Sequence, residues 1–504
     1  MRDSAGAGVA VVLVLAALGV APASRAQWVH AGEPLTLVVG DHHASGDLSG
    51  TAMDRVDARR TNAARSPLPR SALRIVWTRP TRPTRSPPLV TRDANVLTLV
   101  VLGADGEMDF IHEDGTNDGH VQVGQGPTSP PVVLVDGTVA AVTSAWDVIG
   151  VRVRSHEVAW RSHLVDPGVA VNVEQGYAYG RHGRQRVRRT SVDSMAGPSM
   201  PTWTLALEDG GLVVTIDRQL FLVDAEGSVR SRATVPASPA SYPLGISRGA
   251  GSGSVLLVSE PGEVYEWNLT SATDAVRSRG SFGGPLEGSA VAVDARHVAA
   301  VVRGAHVVSL DLVTGLAETR GSSPTMGFTG TLALVPGALG SLLLQEVTLT
   351  GTHVVALQPD GRATPLALSS FSVPLTTLGA ASLGFADAGV WGGGQAGGGG
   401  WGGGGTVTGP TTPTGTQLLV DASGTAAYAT IDGHVGIVTP TSKHELGSLP
   451  CGAPPAASNN CGGQYVRPSL GFLGLVPAGP GAFIVGCENG MVSMVKGALE
   501  PDAP

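Results

Sequence analysis

Residues 129–160, SPPVVLVDGTVAAVTSAWDVIGVRVRSHEVAW, hold four short β runs separated by turn signals. PVVLVD reads as a buried run, and a Gly turn leads from it to TVAAVTS. VIGVRVR then alternates apolar and charged residues, and a last short run ends in Trp160. Short apolar runs bounded by Gly, Asp and Ser are the pattern of strands, and four in succession read as one antiparallel unit. Ser86-Pro87-Pro88-Leu89-Val90 opens one such unit and Ser129-Pro130-Pro131-Val132-Val133 the next, 43 residues later. That period falls in the range of about 40–45 residues for a propeller blade. Further units begin near Val169, Leu205, Leu244, Val291, Leu332 and Gln417, and a final set of three runs covers 470–476, 482–486 and 491–495.

Residues 72–77, ALRIVW, also end in Trp but have no strands before them. An orphan fourth strand at this end would complete the last unit and close the ring, which removes free sheet edges. The expected fold is therefore all-β: a single β-propeller of about eight four-stranded blades, with seven or nine also compatible, closed by an N-terminal strand.

The composition fits this architecture. Gly 71 and Pro 35 among 504 residues suit many short strands and tight turns. The net charge of −8 speaks against a nucleic-acid binder working through global charge. Residues 1–26 read as a secretory signal, with an apolar core over 9–20 and cleavage expected after Ala26. That core is shorter than the roughly 20 residues a membrane span needs, and the mature chain is expected to carry no transmembrane segment. Residues 27–71 read as a linker, 72–497 as the propeller and 498–504 as a C-terminal tail. The run GVWGGGQAGGGGWGGGG, within an insertion at 389–415, is too rich in glycine to hold a packed strand.

Three features resemble the quinoprotein-like, or PQQ-like, β-propeller repeat family. The first is the lead-in MDRVDARRTNAARSPLPRSALRIVW at 53–77, and the second is the Ser-Pro-Pro start of two units. The third is SLDLVTG at 309–315, similar to the family's Ala-x-Asp-x-x-Thr-Gly turn, with Asp311, Thr314 and Gly315 at the matching positions. Where the family usually places Trp after this turn, the chain has Thr319. With aromatic residues at 4%, tryptophan docking between blades is expected to give way largely to aliphatic packing. The resemblance implies a propeller and, for the family's dehydrogenases, PQQ with calcium, a vicinal Cys pair, acidic and Asn calcium ligands and an Asp base. No Cys-Cys dipeptide occurs here.

Few residues read as chemical. Cys451 and Cys461 flank a Pro- and Asn-rich loop and read as a disulfide, with Cys487 either a lone thiol or a competing partner. HEDGTNDGH at 112–120 is oxygen-rich but lacks the Asp/Asn ladder and final Glu of a calcium loop, so it reads as a turn. Arg181, Arg184, Arg186, Arg188 and Arg189 form the one strong local charge cluster. On a strand, Arg184, Arg186 and Arg188 share a face and could meet an anionic partner or guard a sheet edge. The expectation is an exported, non-catalytic scaffold of the periplasm, outer membrane or cell surface that binds protein or polysaccharide. A PQQ- and calcium-dependent oxidoreductase is the alternative.

Overall fold

The computed structural model describes residues 63–500, except for 166–174, 189–201, 366–416, 452–471 and gaps of six residues or fewer elsewhere. Eight four-stranded antiparallel sheets make up the propeller, seven of them with their strands in sequence order. Blades 1 to 7 occupy 89–122, 132–163, 202–234, 244–281, 286–322, 327–365 and 417–448. Blade 8 takes Phe472–Pro477, Ala482–Cys487 and Met491–Lys496 from the end of the chain and its outermost strand, Arg74–Pro80, from the beginning. Arg74 pairs with Lys496 and Pro80 with Met491, so the orphan N-terminal strand does close the ring.

The apolar runs explain why the sheets stack as they do. In Thr138–Val142 of blade 2, all five residues are buried. Val139 and Ala141 join a core with Leu89, Val100 and Phe110 of blade 1, while Ala140 and Val142 join one with Leu205, Val213 and Phe221 of blade 3. Successive side chains of a strand point to opposite faces, so a strand sandwiched between two blades must be apolar at every position. Blade 1 repeats the rule: Leu97, Leu99 and Val101 face Ile484 and Met494 of blade 8, whereas Val100 and Leu102 face blade 2.

The unit expected from Val169 is not a blade. Gln175–Gly180 and Gly183–Arg188 pair with each other as a two-stranded hairpin separate from the eight blade sheets. The sequences QGYAYG and GRQRVR lack the continuous apolar run that burial on both faces requires. The Gly-rich insertion at 389–415 and the signal at 1–26 lie outside the described residues.

Four seams share one contact. At each of them the outermost strand of a blade carries a β-bulge, and the residue after the extra one meets the outer turn of the next blade. At the closure, Trp77 lies on Gly115, and between blades 2 and 3 Trp160 lies on Gly227. Both glycines have positive φ, 84° and 86°, and a Cβ on Gly227 would stand 2.6 Å from the Trp160 ring. Between blades 1 and 2 the same position is Gly119, and His156 of the blade 2 turn fills the space, stacked on Phe110 at 4.5 Å. Between blades 4 and 5 it is Gly280, against which the Gly315 backbone packs. The expected aliphatic replacement for tryptophan is thus, at these two seams, a glycine that lets the neighbouring turn approach.

Residues 63–71, the described part of the segment expected to be a linker, pack against the propeller. Ala64 N–H donates to Val420 O at 2.6 Å and Leu68 N–H to Asp421 Oδ2 at 2.8 Å. Leu68 is fully buried beside Leu419, Phe483 and Val485, between blades 7 and 8. On the tail side, Arg70 N–H donates to Ala498 O at 2.8 Å. The order SPLPRS supplies a kinked, extended strap whose backbone groups find partners in two blades.

The cysteine pairing also differs from the expected Cys451–Cys461. Cys451 is bonded to Cys487, with Cα atoms 5.5 Å apart across 36 residues of sequence. Cys451 leaves the outer strand of blade 7 and Cys487 ends the second strand of blade 8, both buried in one apolar cluster. Cys461 lies outside the described residues. Loop-closure entropy over this span corresponds to about 3–4 kcal/mol. Cys487→Ser is expected to lower stability in denaturant by about that amount, while Cys461→Ser leaves it unchanged. Equal losses in both variants, with a 451–461 peptide on non-reducing mapping, would contradict this pairing. Gly227→Val is expected to cost about 2–4 kcal/mol, because it combines a positive-φ position with overlap on Trp160.

Candidate functional site

Most of the polar residues singled out above are structural. Asp311 ends the third strand of blade 5, and its Oδ1 accepts Val313 N–H at 2.8 Å and Thr314 N–H at 3.3 Å. Arg296 Nε donates to the same oxygen at 2.7 Å and its Nη2 pairs with Oδ2. Gly315 follows at φ 72°, and its N–H returns to Asp311 O at 2.8 Å. The Asp311-Thr314-Gly315 motif is therefore a turn closure that presents Gly315 to blade 4. The Arg296 guanidinium, followed by the Val313 and Thr314 donors, holds the Asp311 carboxyl well below the usual carboxylate range.

Similar ties recur elsewhere. Asp224 Oδ1 accepts Ser228 N–H at 2.7 Å, and Oδ2 meets Arg230 at 3.3 Å. Arg279, the bulged residue of blade 4, pairs with Glu266, which is 5% exposed. Tyr265 donates its hydroxyl to Glu263, and that bond, with burial, pushes the phenol up to about 12.

In the HEDGTNDGH stretch the turn is confined to 113–116, and residues 117–120 open the outermost strand of blade 1. Asp114 Oδ1 accepts Thr116 N–H at 2.8 Å and its hydroxyl at 2.6 Å, bonds that lower the Asp114 carboxyl. Glu113 pairs with Lys496 at 2.9 Å, and Asp118 lies 3.1 Å from His112 Nε2 and 3.4 Å from His156 Nε2. Its three carboxylates thus diverge toward four partners. Among the described residues no three His, Cys, Asp or Glu side chains converge to hold a metal ion. Arg184, Arg186 and Arg188 occupy alternate positions of the Gly183–Arg188 strand, opposite Tyr179, Tyr177 and Gln175. Arg181 and Arg189 lie outside the described residues.

One concave site is built by the closure itself. A cavity of about 240 Å³ is lined by Arg79, Pro80, Thr81 and Arg82 from the closing segment and by Asp109, Ile111 and Asn117 from blade 1. Arg82 is neutralised by Asp105 at 2.7 Å and Glu107 at 2.5 Å. Arg79 donates to Gly115 O at 2.6 Å, and Thr81 to Gly490 O at 2.7 Å. Asp109 is partly buried, and its carboxyl is raised by burial and, next, by Glu107. No single stretch of sequence announces this site. The alternation in EMDFIH puts Asp109 opposite the apolar face of its strand, but Arg79 reaches it only because blade 8 ends beside blade 1.

No family model and no curated protein sequence matches the chain. Among solved structures, BamB from Moraxella catarrhalis is similar, with a TM-score of 0.47 and 12% identity over 84% of this chain and 98% of that one. BBS1N, in a structure with ARL6DN, gives a TM-score of 0.40 and 10% identity over 86% and 99%. U3-55K gives 0.38 and 10% over 59% and 84%.

The Asp311 turn makes a pH prediction with a definite sign. Its carboxyl is lower in the folded chain than the unfolded value of about 3.9. Its contribution is therefore complete above that value and is lost as pH falls through the folded one. Asp311→Ala is expected to cost about 1–2 kcal/mol at neutral pH. The difference from the parent, read by chemical denaturation, should shrink only in strong acid; a difference that vanishes near neutrality would contradict it.

Proposed function

We propose that the chain is an exported, non-catalytic β-propeller that binds protein or glycan partners at the bacterial cell envelope. The observation that carries this reading is where the reactive side chains go. Asp114, Asp224, Asp311, Glu113 and Glu266 each hold a turn, a seam or the ring closure through the partners named above. Such groups are committed to the scaffold, and what a propeller then offers is its faces, rims and loops. The Cys451–Cys487 bond supports export, since disulfides persist in oxidising compartments. The hairpin strand bearing Arg184, Arg186 and Arg188 is one surface that would suit an anionic protein or polysaccharide.

The quinone-dependent alternative does not fit the residues present. The family's dehydrogenases use neighbouring cysteines beside the cofactor, whereas here Cys451 and Cys487 join two blades across 36 residues. The acidic and Asn-containing stretch at 112–120 spends its carboxylates on Thr116, Lys496 and two histidines.

Incubation with PQQ and calcium, followed by desalting, is expected to leave a colourless protein without dye-linked turnover of alcohols or sugars. Retained quinone absorbance with turnover would overturn the scaffold reading. Cell fractionation is expected to recover the mature chain outside the cytoplasm. A glycan array and in-cell cross-linking decide between polysaccharide and protein as the partner.

A further inference from the structure

The closure cavity contains two charged groups, Asp109 and Arg79, that no close ion pair ties down; Asp109 feels the Arg82, His120 and Arg79 charges only across longer separations. Asp109 makes no hydrogen bond or close ion pair with the described residues, and Arg79 has no close ion pair among them, its guanidinium donating to the Gly115 carbonyl. Both line the same cavity, yet they do not meet each other. Arg82, the second guanidinium in the wall, is already matched by Asp105 and Glu107. The cavity therefore offers one negative and one positive group separated by a gap, over an apolar floor at Ile111. A carboxylate kept partly buried without a donor is unfavourable in the empty site, and a ligand that supplies one relieves that cost.

From this juxtaposition we infer that the closure cavity binds a small zwitterion of the α-amino-acid class. The ligand ammonium donates to Asp109, and the ligand carboxylate accepts from the free donors of Arg79. A planar guanidinium fork suits a carboxylate in two-bond geometry. A lone amine or a lone carboxylate would satisfy only one of the two partly buried groups and leave the other without a close ionic partner. Thr81 hydroxyl is used by Gly490 O, so it supplies no competing donor. The site goes beyond the scaffold reading and does not depend on it, because it requires no protein or glycan partner.

Asp109 must be ionised to accept from the ligand. It is faced by Glu107 and His120 from blade 1 and by Arg79 and Arg82 from the closing segment. Burial raises its carboxyl, so affinity should be complete at neutral pH and fall on acidification before an ordinary aspartate would protonate.

Calorimetric titration of the whole chain with glycine and with alanine tests the inference, with acetate and methylammonium as single-charge probes. Saturable binding of the amino acids is expected, about ten- to hundred-fold weaker in Asp109→Asn and in Arg79→Gln. Acetate and methylammonium are each expected to bind far more weakly than glycine. Melting curves confirm that the variants are folded, and Arg79→Gln serves alone if Asp109→Asn is not. Absence of amino-acid binding, binding unchanged in both variants, or acetate binding as tightly as glycine would each overturn the inference. None of these outcomes touches the search for a macromolecular partner.

Discussion

The pairing of Arg74–Pro80 with Met491–Lys496 is the contact on which the rest of the molecule depends. Without it, blade 8 would present the backbone of Met491–Lys496 as an open edge, and blade 1 would lose the neighbour that buries Leu97, Leu99 and Val101. The contact joins residues at opposite ends of the propeller, as in the 2.9 Å hydroxyl pair of Thr78 and Ser493. Closing so long a loop costs entropy that rises only slowly with length, whereas an open edge invites intermolecular pairing. The strap before the strand adds to the same closure: Leu68 and Ala64 tie it to blade 7 while Arg70 meets Ala498. The disulfide binds blade 7 to blade 8 nearby.

Around the ring, each blade is held by its two neighbours rather than by its own four strands. Alternate side chains of one strand enter different cores, so a substitution such as Val139→Thr would weaken the seam toward blade 1 and spare that toward blade 3. The outer lock adds direction to this packing. Bulges aim Trp77 and Trp160 at the glycine turn of the following blade, and Gly119 and Gly280 invert the arrangement by letting the following turn move in. Bulky-on-small and small-on-bulky are two solutions to the same spacing between twisted sheets.

The charged residues follow from this economy. Turn aspartates bind backbone N–H groups, and seam carboxylates meet arginines placed by bulges, as Glu266 meets Arg279. The exception lies where the ring is closed by two remote segments. There Arg79 of the closing strand and Asp109 of blade 1 belong to different sheets and line one cavity without a close ion pair between them.

The sequence by itself determined the blades, because two-sided burial writes continuous apolar runs and tight turns write Gly and Asp at fixed places. The unit at 129–160, the three final strands and the orphan strand ending near Trp77 were legible for that reason. It also revealed the Asp311 turn and the turn at 113–116, since both are local. Whether the stretch after Val169 made a blade was less legible, because its strands are short of the apolar residues that would declare a neighbour. Only the tertiary structure decided the Cys451–Cys487 pairing, the packing of residues 63–71 and the meeting of Arg79 with Asp109's cavity. Each joins segments distant in sequence, and local pattern carries no information about which blades become neighbours until the ring has closed.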